Sequence, residues 1–146
     1  MLFTRVRWVT VAVAVLALSG CAGSTDAGVS AVGRWVSTGP NGEIAVLEVL
    51  PDESLVADDV PVSALLPDWD SSDPVDWSET MDASGSWRRV DGTRIEIQLR
   101  PDDGNPTFAT YLSVKETAEG PVLSLSVDQD AGTTVDFALT TEPAQP

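Results

Sequence analysis

The chain contains no histidine, a single cysteine, and only eight basic residues against 23 acidic ones. Without histidine, the commonest general base and the commonest zinc ligand are both missing. One cysteine cannot form an intramolecular disulfide, so the core must hold the fold unaided. A net charge of −15 at neutral pH excludes nucleic acid as a partner, because phosphate backbones are held by Lys and Arg. The first apolar run, Trp8 to Leu18, is eleven residues interrupted by Thr10. That is well short of the roughly 20 residues that cross a bilayer. No Gly-x-Ser-x-Gly elbow or phosphate-cradling glycine loop is present, and Ser84-Gly85-Ser86 lacks the flanks of one. Lys115 stands alone without a Ser-Lys motif, and no pair of carboxylates is singled out for glycosidase chemistry. These absences lead us to expect a protein that is not an enzyme.

What is present begins at the N-terminus. Arg5 and Arg7 precede the apolar run, no acid occurs before Asp26, and Leu18-Ser19-Gly20-Cys21 closes it. A charged start, an apolar middle and a small-residue cleavage site are the three parts of a secretory signal peptide. With its final cysteine the segment resembles the signals of bacterial lipoproteins, in which an aliphatic residue and two small ones form a lipobox. The resemblance implies a signal-peptide helix over residues 1–20 that is removed, and a lipidated, palmitate-bearing Cys21. The protein would then be anchored to the extracytoplasmic face of the cell membrane. Stable anchoring takes two or more acyl chains, since one binds marginally. An ordinary secretory signal that leaves a cysteine nearby is the alternative. Cleavage removes two of the eight bases and none of the acids. Residues 21–31, the cysteine and a run of small and polar residues, then read as a flexible tether reaching roughly 15–20 Å.

From residue 32 to residue 140 the pattern is that of short strands, followed by a tail over 141–146. Arg34 to Val36, Glu43 to Leu50, Ser54 to Ala57, Ser86 to Val90, Thr93 to Leu99, Phe108 to Lys115, Pro121 to Val127 and Thr133 to Leu139 are the candidates. Ile95, Ile97 and Leu99 alternate with Arg94, Glu96 and Gln98, as do Val135, Phe137 and Leu139 with Thr134 and Asp136. Period-two alternation puts one row inside and the other in water. Asp91-Gly92 is a pair favoured in two-residue type I′ hairpins. The expected fold is all-β, an antiparallel meander of seven or eight strands closed as a small barrel or folded as a sandwich. Gly33-Arg34-Trp35 is echoed by Gly85-Ser86-Trp87, each followed by an Ile-led strand and Pro-Asp. Duplication and the shared grammar of hairpins both account for that echo.

The Gly33-Arg34-Trp35 opening resembles that of lipocalin-like barrels, and of small β-rich lipoproteins of high-GC Gram-positive bacteria. In such barrels the glycine lets the strand bend and the tryptophan plugs the closed end. The resemblance implies structural roles for Gly33 and Trp35, and the echo extends them to Gly85 and Trp87. No later lipocalin motif is found near Tyr111 or Lys115, which leaves open whether the barrel is hollow or filled.

Residues 58–84 form the acidic stretch, with eight acids and no base, and they read as a long loop carrying Trp69 and Trp77. Val62 to Leu66 fits one or two helical turns ended by Pro67. Asp68, Asp70, Ser72, Asp76 and Glu79 occupy positions 1, 3, 5, 9 and 12 of a twelve-residue window. That spacing resembles an EF-hand calcium loop. It departs from one at position 6, where Asp73 stands for the turn glycine, and at Pro74 beside it. A solvated acidic loop pinned by its tryptophans is the plainer reading. The function expected is that of a membrane-anchored binding or scaffold domain whose partner is a protein. A carrier of a small apolar ligand and a calcium-binding module are the alternatives.

Overall fold

A computed structural model describes residues 28–66, 74–128 and 132–140. The lipobox residues Leu18, Ser19 and Gly20, the anchor residue Cys21, and the window residues Asp68, Asp70 and Ser72 lie outside them. Eight strands and one helical turn make up the described chain. They are β1 (Gly33–Thr38), β2 (Ile44–Val49), β3 (Ser54–Pro61), α1 (Val62–Leu65), β4 (Thr80–Arg89), β5 (Arg94–Pro101), β6 (Phe108–Thr117), β7 (Gly120–Asp128) and β8 (Thr133–Thr140). Each strand pairs antiparallel with the next, and β8 returns to β1 through Arg34↔Thr140, Trp35↔Leu139 and Val36↔Ala138. The result is a closed meander barrel, so no strand is left with an open edge.

The alternation in the sequence sets the inside. Trp35, Leu47, Val49, Leu55, Ile95, Ile97, Leu99, Leu112, Leu123, Leu125 and Phe137 are all fully buried. An eight-stranded barrel is just wide enough for side chains to fill its interior. Here large aliphatic residues from five of the strands, with Trp35 of β1 and Phe137 of β8, occupy that space. The small residues Ala45, Ala57 and Ala83, also buried, sit among them. Ser37 is buried as well, paired across the sheet with Ala45.

Each end is shut by its own device. Residues 28–32 cross one end, which we term the tether end, where the Trp35 indole donates to the Ala31 carbonyl at 2.8 Å. Arg89 donates to the Val29 carbonyl at 2.7 Å, and the Trp87 indole to that of Leu50 at 2.8 Å. At the opposite end, α1 turns Ala64 and Leu65 into the core and packs against β3 and β7. Val62, Val75 and Trp77 cover that end further.

Two glycines are required, Gly33 by its backbone conformation and Gly85 by close approach. A Cβ on Gly33, whose φ is 152°, would lie 2.5 Å from Leu139 Cδ1. On Gly85 it would lie 1.8 Å from the backbone oxygen of Gln98, where β4 and β5 press together. The two Gly-x-Trp segments share a register: Gly33 faces Val49 as Gly85 faces Leu99, and Trp35 faces Leu47 as Trp87 faces Ile97. They differ in depth, for Trp35 is fully buried while Trp87 is half-buried.

Two local expectations are corrected, and a third, the helical turn, is met. Asp91-Gly92 does not make a type I′ turn, because neither residue has positive φ. The loop spans Val90 to Thr93 instead, held by Asp91 accepting from the Thr93 amide at 2.8 Å. The acidic stretch is not a loop throughout: Asp58–Pro61 completes β3 and Thr80–Ser84 begins β4. The β4 segment alternates cleanly between outside and inside, whereas a bulge interrupts β3 between Ala57 and Val60 and shifts the register. Lastly, the helical turn is a single one, over Val62–Leu65.

Candidate functional site

The acids divide into two populations. The first builds turns. Asp52, Asp76, Asp91 and Asp103 each accept the amide of the residue two positions on, from Ser54 (3.0 Å), Ser78 (2.8 Å), Thr93 (2.8 Å) and Asn105 (3.0 Å). This is the Asx turn, in which a carboxylate replaces the missing backbone partner. The signal in the sequence is Asp-x-Ser/Thr/Asn, and it accounts for acids that otherwise resemble ligands. Hydrogen bonding lowers the affinity of Asp52, Asp76 and Asp91 for protons. The Ser54 hydroxyl acts most on Asp52, and the Ser78 hydroxyl most on Asp76. Asp91 is taken down to about 2, chiefly by the Thr93 amide and then by the Arg94 guanidinium.

Asp76, read from its spacing as a calcium ligand, is thus engaged with Ser78 through one oxygen, which also accepts the Ser78 hydroxyl at 2.7 Å. Glu79 contributes its backbone oxygen to the Val62 amide at 2.9 Å, tying the start of β4 to α1. Among the described residues no three acids converge as a metal-binding group.

The second population gathers on the outer wall at the β3 bulge. The extra residue there, Asp59, has φ 51° and donates its amide to the Asp82 carboxylate at 2.9 Å. Thr80 donates to the Asp59 carboxylate at 3.3 Å. Asp58 lies beside Asp82, Asp59 and Glu48, and its proton affinity is raised, first by burial and then by those three charges. Arg34, 3.4 Å from Glu48, partly offsets them. Like charges this close disfavour ionisation of the most confined member. The patch is therefore a place of concentrated negative charge held rigidly by a sheet. Sequence reading assigned Asp58, Asp59 and Asp82 to a loop and did not join them to Glu48. The pairing of Val46 with Asp58 and of Ala57 with Ala83 is what brings them together.

Gly33, Trp35, Gly85 and Trp87 all lie where the barrel needs them, around the tether end and the β4–β5 contact. Gly85 lies in the floor of an outer depression, and Trp87 borders a smaller one. Two shallow depressions of about 420 and 620 Å³ lie on the outer wall, one over β3–β5 and one over β1, β7 and β8. Compared with known proteins, the chain matches no family model, no curated protein and no solved structure.

Proposed function

We propose that this chain is a lipid-anchored extracytoplasmic protein whose β-barrel acts as a non-catalytic binding or scaffold domain. The observation that carries the reading is the filled interior, with Trp35, Phe137 and nine aliphatic side chains fully buried and both ends covered. A barrel packed in this way has its recognition surface outside. The acidic wall at Glu48, Asp58, Asp59 and Asp82 offers one such surface to a basic partner, and charge of one sign speeds encounter with the other. The lipid on Cys21 would hold the domain at the membrane. Residues 28–32, packed across one end, would fix which end faces the bilayer.

The carrier reading stands second, supported by the lipocalin-like closure of the tether end through Trp35 and Ala31. It needs room that the packed core does not offer. Calcium binding through the window from Asp68 to Glu79 has support only from spacing.

A native mass spectrum of the purified protein, with and without calcium, tests all three. The expected result is a mass unchanged by calcium and free of apolar adducts. A stoichiometric apolar adduct would overturn the scaffold reading in favour of the carrier. For the anchor, Cys21→Ser is expected to move the protein out of the membrane fraction or leave it unprocessed. Retention of a processed form in the membrane would contradict lipidation.

A further inference from the structure

On the outer wall of β3, β4 and β5 the register sets out a small grid of polar residues. Ser54, Ser86 and Gln98 form one row, and Val56, Ser84 and Arg100 the next. Ser84 and Ser86 flank Gly85, so the floor of this grid is one hydroxyl tall. Taller neighbours on either side leave the depression of about 420 Å³, closed at one end by Thr107. It continues past Ser86 and Gln98 into a smaller hollow of about 150 Å³ beside Glu53 and the Arg88–Glu96 ion pair. Tyr111 pairs with Glu96 on the next strand and is 54% exposed. Between Tyr111 and the grid, the residue facing Gln98 is the small Ala109, which leaves the way to the aromatic ring open.

Several polar groups elsewhere on the barrel are held by neighbouring carboxylates. The hydroxyls of Ser78, Thr93 and Ser124 are held by Asp76, Asp91 and Asp136, and within the groove that of Ser54 is held by Asp52. Arg34, Arg88 and Arg94 are each held by a carboxylate. Ser84, Ser86, Gln98, Arg100 and Thr107 make no side-chain hydrogen bond or ion pair among the described residues. Five unengaged donors and acceptors thus converge on one depression.

We propose that this groove binds a short saccharide, neutral or carrying a single carboxylate. Serine hydroxyls and the Gln98 amide both donate and accept, which is what a ring of sugar hydroxyls requires. Tyr111 supplies an apolar face for the C–H side of a sugar ring, with its polar tip in water. Arg100 can meet one carboxylate, and a guanidinium is the side chain suited to hold it in bidentate fashion. A polyanionic glycan would be turned away by the net charge of −15. This site is separate from the acidic wall at the β3 bulge, so it stands or falls independently of the function proposed above.

The test is a ¹H–¹⁵N titration of the full-length protein in a non-glycosidic detergent. The probes are chitotriose, cellotriose and an aldobiouronate, a disaccharide with one carboxylate. Saturable shifts are expected at Ser84, Gly85, Ser86, Gln98 and Tyr111 with at least one probe. Ser86→Phe, which fills the groove, should weaken binding about tenfold or more. Tyr111→Ala should weaken it roughly 2- to 10-fold, the range of an aromatic contact. Arg100→Ala should weaken the aldobiouronate more than the neutral sugars. These side chains face outward, so the melting temperatures should stay near the parent's. No saturable shift with any probe would overturn the proposal, as would shifts centred elsewhere. Parental affinity in both Ser86→Phe and Tyr111→Ala would overturn it equally.

Discussion

Trp35 shows how much one residue carries. Its ring is fully buried at the tether end, its indole N–H is satisfied by Ala31, and it faces both Leu47 and Leu139 across neighbouring strands. Truncating it removes a large aromatic and strands the Ala31 carbonyl. Trp35→Ala is expected to cost about 3–5 kcal/mol in a urea titration. A titration unchanged from the parent would contradict its role as the plug. Two acids should respond oppositely to pH. Asp91 has a depressed pKa of about 2, so its contribution is present above the ordinary carboxylate range and lost as pH falls towards 2. Asp58 has a raised pKa, so its ionisation penalises the folded state at neutral pH, and the penalty disappears once pH falls below 3.8. Asp91→Asn should therefore lower the melting temperature at pH 7, and Asp58→Asn should raise it. Both differences should shrink in acid, the first only near pH 2. Equal signs for the two variants would contradict the assignment of burial and repulsion to Asp58.

Among the elements, α1 is the least typical. It is one turn long and has no side-chain cap, so it cannot persist by its own propensity. Its stability comes from Ala64 and Leu65, which enter the core between β3 and β7. Leu65→Ala is expected to cost about 2–5 kcal/mol, with a single transition seen alike by tryptophan fluorescence and circular dichroism. A separate early transition would mean that this end opens independently of the barrel. The strands themselves were legible because alternation over β5 and β8 is clean and each inward residue is apolar. The joins were less legible. Asp91-Gly92 suits two turn geometries, and the competing Asx bonds of Asp91 with Thr93 and Arg94 stabilise the wider one. The ends of β3 and β4 lie in acidic sequence, and their pairing across a bulge is a property of the sheet and not of either segment.

At the scale of the whole molecule, closure decides the behaviour. Three residue pairs join β8 to β1, and they convert two edges that would otherwise fray into one seam. Native-state hydrogen exchange from Trp35, Val36, Ala138 and Leu139 should therefore be as slow as that from β4 and β5, since all belong to one cooperative unit. Fast exchange confined to the seam would argue for an open sheet. The packed interior also bears on function. With large side chains filling the inside, the binding surfaces proposed above lie on the outer wall, where the acidic bulge and the polar groove occupy neighbouring but separate areas.

The sequence by itself determined the all-β class and the inward rows, narrowed the strand count to seven or eight, and singled out Gly33, Trp35, Gly85 and Trp87. Periodicity and a Gly-x-Trp pair are local features, readable without knowing what lies opposite. It left the choice between barrel and sandwich open, along with the choice between a hollow and a filled interior. Only the tertiary structure decided these, because both depend on which strand meets which: β8 reaching β1 closes the wall, and the sum of inward volumes fills it. The grouping of Glu48 with Asp58 and Asp82, and of Ser86 with Gln98, belongs to the same class. Cross-strand neighbours set the charge and the hydrogen-bonding surface, and residues up to 34 positions apart acquire a common role only once the register is fixed.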